Sequence, residues 1–314
     1  MPVSHIPVNE ETLKNKFDKN QNNSSIFYAT NPKYEFADIV LPENVEKNVR
    51  RAISYIKNRH KIFDEWEMKS VIKNYNLCIN LYGPSGTGKT MTAHAIANEL
   101  NKKLVVVNYA EIESKYVGET SKNIVNLFKF AQQNDLIILF DEADALLSKR
   151  VTAMYSATDV SVNQTRNTLL KIFDEYDGIV IFTTNFVQNF DMAFLRRIFS
   201  NIEFELPNLE ARKKLWSHYL LGTLPIDNRN EVIIQISQEE ELTGSDIATI
   251  VLKAAVDVAE FNGKCIDKDM LINIVKEVKK VKYDMQEKYE ITTRKVSKEY
   301  VKEQLGKGGN IGEF

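Results

Sequence analysis

One eight-residue stretch, GPSGTGKT at positions 83–90, constrains this chain more than any other feature. It follows an apolar run at 77–81 and precedes a helix-like stretch, the context of a phosphate-binding loop. Glycines let backbone N–H groups curl around phosphate oxygens, and the helix N-terminus favours the anion. We expect Lys89 to neutralise the β- and γ-phosphates and the Thr90 hydroxyl to bind Mg²⁺. The predicted nucleotide-binding residues are Gly83, Pro84, Ser85, Gly86, Thr87, Gly88, Lys89, Thr90 and Met91.

A second apolar run ends in paired carboxylates. Residues 136–144 read LIILFDEAD, so Asp141 and Glu142 directly follow a predicted strand. Ligands bind at the carboxyl ends of strands in open α/β sheets. Asp141 is therefore expected to hold Mg²⁺ and its water shell, and Glu142 to polarise an attacking water as a general base. An Asp–Glu pair after a strand is usually a solvated loop, but the phosphate-binding loop upstream favours the catalytic interpretation.

A third apolar run, IVIFTT at 179–184, is followed by Asn185. An asparagine in this position alone would be interpreted as a turn residue. At the end of another strand of the same sheet, its side chain can hydrogen-bond the γ-phosphate or the lytic water. We therefore favour a nucleotide-sensing role for Asn185.

The order of these motifs resembles that in AAA+ ATPases, specifically the AAA clade that includes katanin, spastin and membrane-protein extractases. The resemblance covers about residues 36–284, and it extends to small stand-alone bacterial AAA ATPases. Besides the motifs above, it rests on FADI at 36–39, SKYVGETSKN at 114–123, FLRR at 194–197 and TGSDI at 243–247. Several motifs in one order are more specific than any one of them alone.

The resemblance implies an α/β fold, a P-loop NTPase core of the AAA+ type followed by a small all-helical lid domain. Its parallel sheet would have five strands in the order 5-1-4-3-2, near 77–81, 104–108, 136–140, 179–183 and 202–206. The implied cofactors are ATP and Mg²⁺. Asp38 and Ile39 are expected to contact the nucleotide. Gly244, Ser245 and Asp246 occupy the position of the sensor-2 arginine of other AAA+ branches. Small residues there would leave room near the adenine, so the backbone of Gly244 and Ser245 is expected to line the base pocket.

A site shared between subunits is also implied, in which an arginine after Asn185 reaches the nucleotide of a neighbouring copy. Arg196 and Arg197 are the candidates, with Arg197 preferred, and Arg150 is a third. The segment FLRRIFSNIEF departs from the R-x-G-R-F-D pattern of the clade because it is shorter and lacks the glycine. The alternative is a pair of arginines in surface salt bridges. A shared site predicts a homo-oligomer, and the resemblance implies a hexamer.

Tyr116 and Val117 lie in the segment that corresponds to the pore loop of AAA unfoldases. There, an aromatic–aliphatic pair grips an extended polypeptide, whereas the alternative is that both residues cap the local core. The pore-loop interpretation predicts a protein substrate.

Composition and charge limit the classes of partner and the compartment that we expect. The 314 residues carry a net charge of −2, which argues against a basic nucleic-acid footprint, so nucleic acid is an unlikely partner. No run of about 18 apolar residues occurs, so we expect no membrane span. Two cysteines fit a reducing, cytoplasmic compartment.

His94 is predicted to lie on the polar face of the helix after the phosphate-binding loop.

The expected organisation is a flexible N-terminal extension (1–35), a nucleotide-binding domain (36–207), a helical lid (208–284) and a C-terminal tail (285–314). The sequence predicts a ring-forming, Mg²⁺-dependent ATPase that remodels, unfolds or threads a protein substrate. Two alternatives stay open: an AAA+ nucleic-acid loader or remodeller, and a nucleotide-gated assembly scaffold with slow hydrolysis.

Overall fold

A computed structural model describes residues 27–72, 76–108, 120–147, 157–185, 191–260 and 265–284. The strands within these ranges are β1 (Leu77–Tyr82), β2 (Leu104–Asn108), β3 (Ile137–Asp141), β4 (Ile179–Thr184) and β5 (Ser200–Glu203). The α-helices up to β5 are α1 (Glu43–Lys57), α2 (Lys89–Glu99), α3 (Thr120–Gln133), α4 (Asp144–Leu147), α5 (Ala157–Glu175) and α6 (Met192–Leu195). Those after β5 are α7 (Leu209–Tyr219), α8 (Arg229–Ile236), α9 (Gly244–Glu260) and α10 (268–284).

The five strands form one parallel sheet in the order β2-β3-β4-β1-β5, which confirms the predicted order read from the other edge. All six residues of β4 are buried, as expected for a parallel strand covered by helices on both faces. The strand register places Ile79 beside Ile181 and Leu139 beside Ile181. This arrangement brings the carboxyl ends of β1, β3 and β4 to one edge of the sheet.

The last strand differs in position from the prediction. Residues 200–203 pair with β1, whereas the sequence pattern suggested 202–206. Phe204 still donates its backbone N–H to the carbonyl of Tyr82, at 2.7 Å, but the chain then leaves the sheet toward Pro207. Proline has no N–H to donate to a ladder, so pairing ends before it.

Alternating side chains of the strands enter two apolar cores, one on each face of the sheet. Phe140 and Phe182 stack with ring centroids 5.2 Å apart on the face covered by α3 and α5. Leu139 and Ile181 point to the opposite face, into the core that includes residues of α1 and α2. This two-residue alternation is the geometry expected of strands with both faces covered.

Helices α7 to α10 enclose a third core around Trp216, which is fully buried. An apolar stripe along α9 points into it, with Ile247, Ile250, Val251, Ala254 and Val258 all buried. Side-chain oxygens cap two of these helices. Asn208 accepts from the N–H of Ala211, and Asp267 accepts from the N–H of Met270. The helical unit therefore has its own core, while the domain boundary at 207/208 stays a prediction.

Residues 27–35, which the sequence assigned to the N-terminal extension, run beside the outer edge of the sheet. Thr30 exchanges two backbone hydrogen bonds with Leu104 of β2, at 2.7 and 2.9 Å. Along the described ranges, every helix is either too short or too polar to cross a membrane.

The same segment buries His94, which is only 4% exposed. The backbone N–H of Lys33 donates to His94 Nδ1 at 3.2 Å, and the Tyr34 ring meets the imidazole edge-on. The expectation of a solvent-facing histidine was therefore wrong, because residues 33 and 34 cover that side of α2. Burial lowers the pKa of His94, the nearby Lys33 charge lowers it further, and Asp141 opposes both.

This burial predicts a pH-dependent stability. A histidine whose pKa is lower in the folded state stabilises the fold fully above its unfolded pKa, about 6.5, and loses that contribution as the pH falls. Between about pH 7.5 and 5.5, the melting temperature should fall more in the wild type than in His94→Gln, whose amide does not titrate there. Thermal unfolding at several pH values measures this. Equal slopes for both proteins would show that His94 does not contribute.

Candidate active site

The loop between β1 and α2 has a backbone that requires glycine. Gly83, Gly86 and Gly88 have φ angles of 136°, 78° and 96°. A Cβ on Gly83 would lie 2.0 Å from the carbonyl oxygen of Phe204, so no other residue fits without moving the chain. The loop is thereby fixed against the segment that follows β5.

The ammonium group of Lys89 is held at the centre of this loop. Its Nζ donates to the carbonyls of Gly83 at 2.7 Å and Pro84 at 2.8 Å, and to Oδ1 of Asn185 at 3.0 Å. The residue is only 7% exposed. Burial lowers the pKa of Lys89, and three nearby carboxylates, with Asp144 the strongest, oppose that shift. The nearby carboxylates thus favour the charged form of Lys89 at the centre of the loop, where a phosphate would bind.

A hydroxyl and a carboxylate meet beside the lysine. Thr90 Oγ1 donates to Oδ1 of Asp141 at 2.9 Å, and Thr183 Oγ1 donates to the same oxygen at 2.5 Å. The Thr90 hydroxyl and the Asp141 carboxylate supply hard oxygen ligands of the kind that Mg²⁺ prefers. Mg²⁺ commonly binds one carboxylate together with phosphate oxygens. The described residues contain no group of three or more His, Cys, Asp or Glu side chains arranged to hold a metal ion by themselves. Thr183 was not identified from the sequence, since nothing distinguishes it from other strand threonines.

Glu142 adopts an unusual backbone conformation at the end of β3. Its φ is 54°, in the left-handed region that non-glycine residues seldom occupy. Two bonds from β4 hold the turn: Glu142 N–H donates to Thr183 Oγ1 at 3.1 Å, and Ala143 N–H to the Thr183 carbonyl at 2.9 Å. Glu142 is exposed and lines the same cleft as Lys89. Such conformations concentrate at functional sites because the surrounding structure maintains them.

Asn185 connects the ends of β3 and β4. Its backbone N–H donates to Oδ1 of Asp144 at 2.8 Å while its side-chain oxygen accepts from Lys89. Asp144 is the last residue of the DEAD sequence, and its role in orienting Asn185 was not predicted. From the sequence, roles were assigned to Asp141 and Glu142 only. Asp144 reaches Asn185 because the chain turns at Glu142, and that turn cannot be recognised from the sequence.

The cleft above the loop has a volume of about 500 Å³ and extends to the helical unit. Its lining includes the predicted residues Asp38, Ile39, Met91, Gly244 and Ser245. Ser245 N–H donates to the carbonyl of Gly86 at 3.2 Å, and a Cβ on Gly86 would lie 2.1 Å from Ser245 Oγ. Further lining residues that no sequence motif indicated are Val40, Leu215, His218, Tyr219, Ala248 and Thr249.

The two arginines after Asn185 have different surroundings. Arg197 binds both carboxylate oxygens of Asp174, at 2.8 and 2.9 Å, and donates to the carbonyl of Ala193 at 2.9 Å. Arg196 is exposed, and its side chain has no hydrogen-bond or ion-pair partner among the described residues. Neither belongs to the lining of the cleft. The remaining predicted residues, Tyr116, Val117 and Arg150, lie outside the described ranges.

These groups fit a nucleoside triphosphate bound with Mg²⁺. Gly83, Gly86 and Gly88 have positive φ angles, and a turn backbone of this kind can point successive N–H groups at an anion. Among the described residues, the hydrogen-bond partners of the Lys89 ammonium are all neutral oxygens, which an anion can replace. Thr90 and Asp141 add the hydroxyl and the carboxylate for the metal.

Comparison with known proteins agrees with this geometry. Residues 79–206 match the family described as "ATPase family associated with various cellular activities (AAA)". The chain is 33% identical over 271 residues to cell division protein C of Sulfolobus acidocaldarius, with 80% of this chain and 67% of that protein covered. It is 33% identical over 229 residues to a putative 26S proteasome regulatory subunit homolog of Methanocaldococcus jannaschii, covering 71% of this chain and 58% of that one.

A proteasome-activating nucleotidase of Saccharolobus islandicus is 34% identical over 208 residues, with 62% of this chain and 51% of the relative covered. The chain thus spans between half and two thirds of the length of these relatives. On the family match and the similarity to cell division protein C, the chain belongs to the AAA family of ATPases and is an ATP hydrolase.

Proposed function

We propose that this protein forms a ring in which Mg²⁺-dependent ATP hydrolysis drives the remodelling, unfolding or threading of a protein substrate. One observation carries the catalytic part. The lysine, hydroxyl, carboxylate pair and asparagine all lie at the carboxyl edge of one sheet, within the cleft that the helical unit closes. A nucleotide held there would contact both parts of the chain.

Each side chain has a defined task in this proposal. Lys89 exchanges its carbonyl partners for phosphate oxygens, and Thr90 and Asp141 hold Mg²⁺. When bound, the metal neutralises negative charge on the phosphate oxygens. Glu142 accepts a proton from the water that attacks the γ-phosphorus, and ADP and phosphate leave. Asn185 orients that water or the γ-phosphate through its side-chain amide, whose oxygen accepts from Lys89 while the backbone N–H is bonded to Asp144.

The ring is supported by the surroundings of Arg196 and Arg197. Neither lines the cleft of its own chain, so a catalytic role would require the cleft of another copy. Arg197 has its guanidinium bonded to Asp174 and Ala193, whereas Arg196 is exposed. We therefore place Arg196 first as the residue that acts in the neighbouring site. Arg197 fixes the turn from which Arg196 projects.

The protein substrate is supported by two observations of different kinds. The names of two relatives refer to the proteasome, a protein-degrading machine. The sequence also carries the Tyr116–Val117 pair in the segment that resembles a pore loop. A net charge of −2 favours a polypeptide over a nucleic acid, because nucleic-acid binding relies on concentrated positive charge.

Replacement of Glu142 by glutamine tests the general base. The variant should bind ATP as the wild type does, because the amide keeps the size of the side chain. Its turnover number should fall by about 10²-fold or more, because an amide cannot accept the proton. Steady-state hydrolysis and binding of a fluorescent ATP analogue measure the two properties. Turnover within about twofold of the wild type would remove Glu142 from the mechanism.

Arg196→Ala and Arg197→Ala form a matched pair. Arg196→Ala should lower ATP turnover by about 10³-fold and leave the melting temperature unchanged, because the side chain has no partner within its own described chain. Arg197→Ala should also lower the melting temperature, because it removes the two bonds to Asp174.

Mixing two inactive proteins tests whether the site is shared. Lys89→Ala lacks a functional cleft but keeps Arg196, and Arg196→Ala has the converse defect. Mixed rings should recover activity, since an Arg196→Ala subunit receives the arginine of its neighbour. The specific ATPase activity of the wild type should also rise with protein concentration, because rings form as the concentration increases. Mass photometry at each concentration measures the fraction of protein in rings. A monomer as active as the concentrated protein, or no recovery on mixing, would contradict the shared site and favour the scaffold alternative.

Tyr116→Ala tests the grip on the substrate. ATP hydrolysis should persist, while unfolding of a fluorescent protein with an unstructured tail should be lost, because the alanine side chain is too small to intercalate. Tyr116→Phe keeps the ring and should unfold the same substrate. Equal unfolding rates for the wild type and Tyr116→Ala would show that the polypeptide is not gripped at this residue.

A further inference from the structure

Helix α10, the last helix of the described residues, is attached by three polar contacts to the segment 239–246, which ends in the first turn of α9. Lys279 Nζ contacts Glu239 at 3.0 Å, and the Tyr283 hydroxyl donates to Glu241 at 3.0 Å. The third contact joins the ammonium of Lys282 to Oδ2 of Asp246. Lys279, Lys282 and Tyr283 lie on one face of α10, and each contacts a different residue of the segment 239–246.

The contact with Asp246 differs from the other two because that carboxylate is almost fully buried, with only 8% of the residue exposed. Its Oδ2 also accepts from the backbone N–H and the hydroxyl of Thr243, each at 2.7 Å. Lys282 is the one cation bonded to Asp246 in the described part of the chain. A buried carboxylate needs such a partner, because removal from water disfavours the charge.

Thr243 and Ser245 transmit the position of Asp246 to the phosphate-binding loop. Their hydroxyl oxygens are 3.1 Å apart, and Ser245 N–H donates to the carbonyl of Gly86. A Cβ on Gly86 would lie 2.1 Å from Ser245 Oγ and 2.7 Å from Thr243 Oγ1. Both hydroxyls are therefore in direct contact with the glycine whose φ of 78° shapes the loop.

We propose that Lys282 is a positioning residue for the nucleotide. Through Asp246 it fixes Thr243 and Ser245 against Gly86, and so it links the placement of α10 to the affinity for ATP. The inference rests on the proposed nucleotide site. Without the ammonium, the segment 243–245 shifts to let water reach the carboxylate, and the contact with Gly86 loosens. The helical unit thereby closes the cleft through a contact whose charge comes from its last helix.

A purely structural salt bridge would have different consequences. Only the Lys282 side of this pair is exposed, at 43% of its side chain, so water can take the place of the ammonium beside Asp246 when the segment 243–245 shifts. We therefore expect a change in nucleotide affinity without a matching change in unfolding. The Michaelis constant for ATP should rise while the turnover number at saturation changes little, since the catalytic groups at the ends of β3 and β4 are untouched.

The experiment measures binding of a fluorescent ATP analogue to Lys282→Met in the Glu142→Gln background, where hydrolysis does not interfere. We expect the dissociation constant to rise about fivefold or more, in the range usual for coupled sites. Lys282→Arg, which keeps the charge, should restore the affinity. Lys280→Met is the matched control. That lysine is exposed on the same helix and has no bonded partner among the described residues.

A double variant tests whether Lys282 acts on nucleotide binding through Asp246. Asp246→Asn should weaken binding by itself, and Lys282→Met should add little to it, because both changes break the same contact. If Lys282→Met fails to fold, Lys282→Gln, whose polar side chain also removes the ammonium charge, replaces it with the same expected loss of affinity, and thermal unfolding is the check. A dissociation constant within about twofold of the background protein, or an equal loss in Lys280→Met, would overturn the proposal. Unaltered binding by Lys89→Ala would instead overturn the proposed nucleotide site.

Discussion

A buried ammonium group organises the carboxyl edge of the sheet. Lys89 bonds to two carbonyls of the loop that follows β1 and to the side chain that follows β4. The same asparagine is bonded to Asp144, which lies just beyond β3. One cation thus connects the ends of three strands, and its charge requires the acidic residues nearby. The sheet order matters because it places β1 and β3 on either side of β4, so that these three ends meet.

The parts of the molecule that local sequence patterns specify were predicted well. Continuous apolar runs marked β1, β3 and β4, and the resemblance to a known family supplied the strand order that the structure confirms. The glycines of the loop were recognisable because their spacing is constrained by backbone conformation. Asp141, Glu142 and Asn185 were found for a related reason: each follows a strand whose end is readable from its apolar residues.

The features that escaped prediction depend on residues far apart in the chain. His94 has polar neighbours at helical spacing, yet a segment some sixty positions earlier covers it. Leu215, His218 and Tyr219 line the cleft only because α7 packs beside the loop, and no pattern along α7 records that neighbour. The contact between Lys282 and Asp246 is likewise a product of tertiary packing. The end of β5 could not be fixed because its apolar residues continue beyond the last paired position.

The pairing of Thr30 with Leu104 has a consequence for an assembly of identical copies. An uncovered edge strand presents unpaired N–H and C=O groups that invite another strand, and such pairing is a route to aggregation. At β2 the copy's own N-terminal segment takes part of that edge. In the proposed ring, a contact between copies at this part of the edge would then use side chains rather than a shared sheet. Side-chain contacts can break and re-form as subunits move, whereas a continuous sheet across the boundary would lock them together.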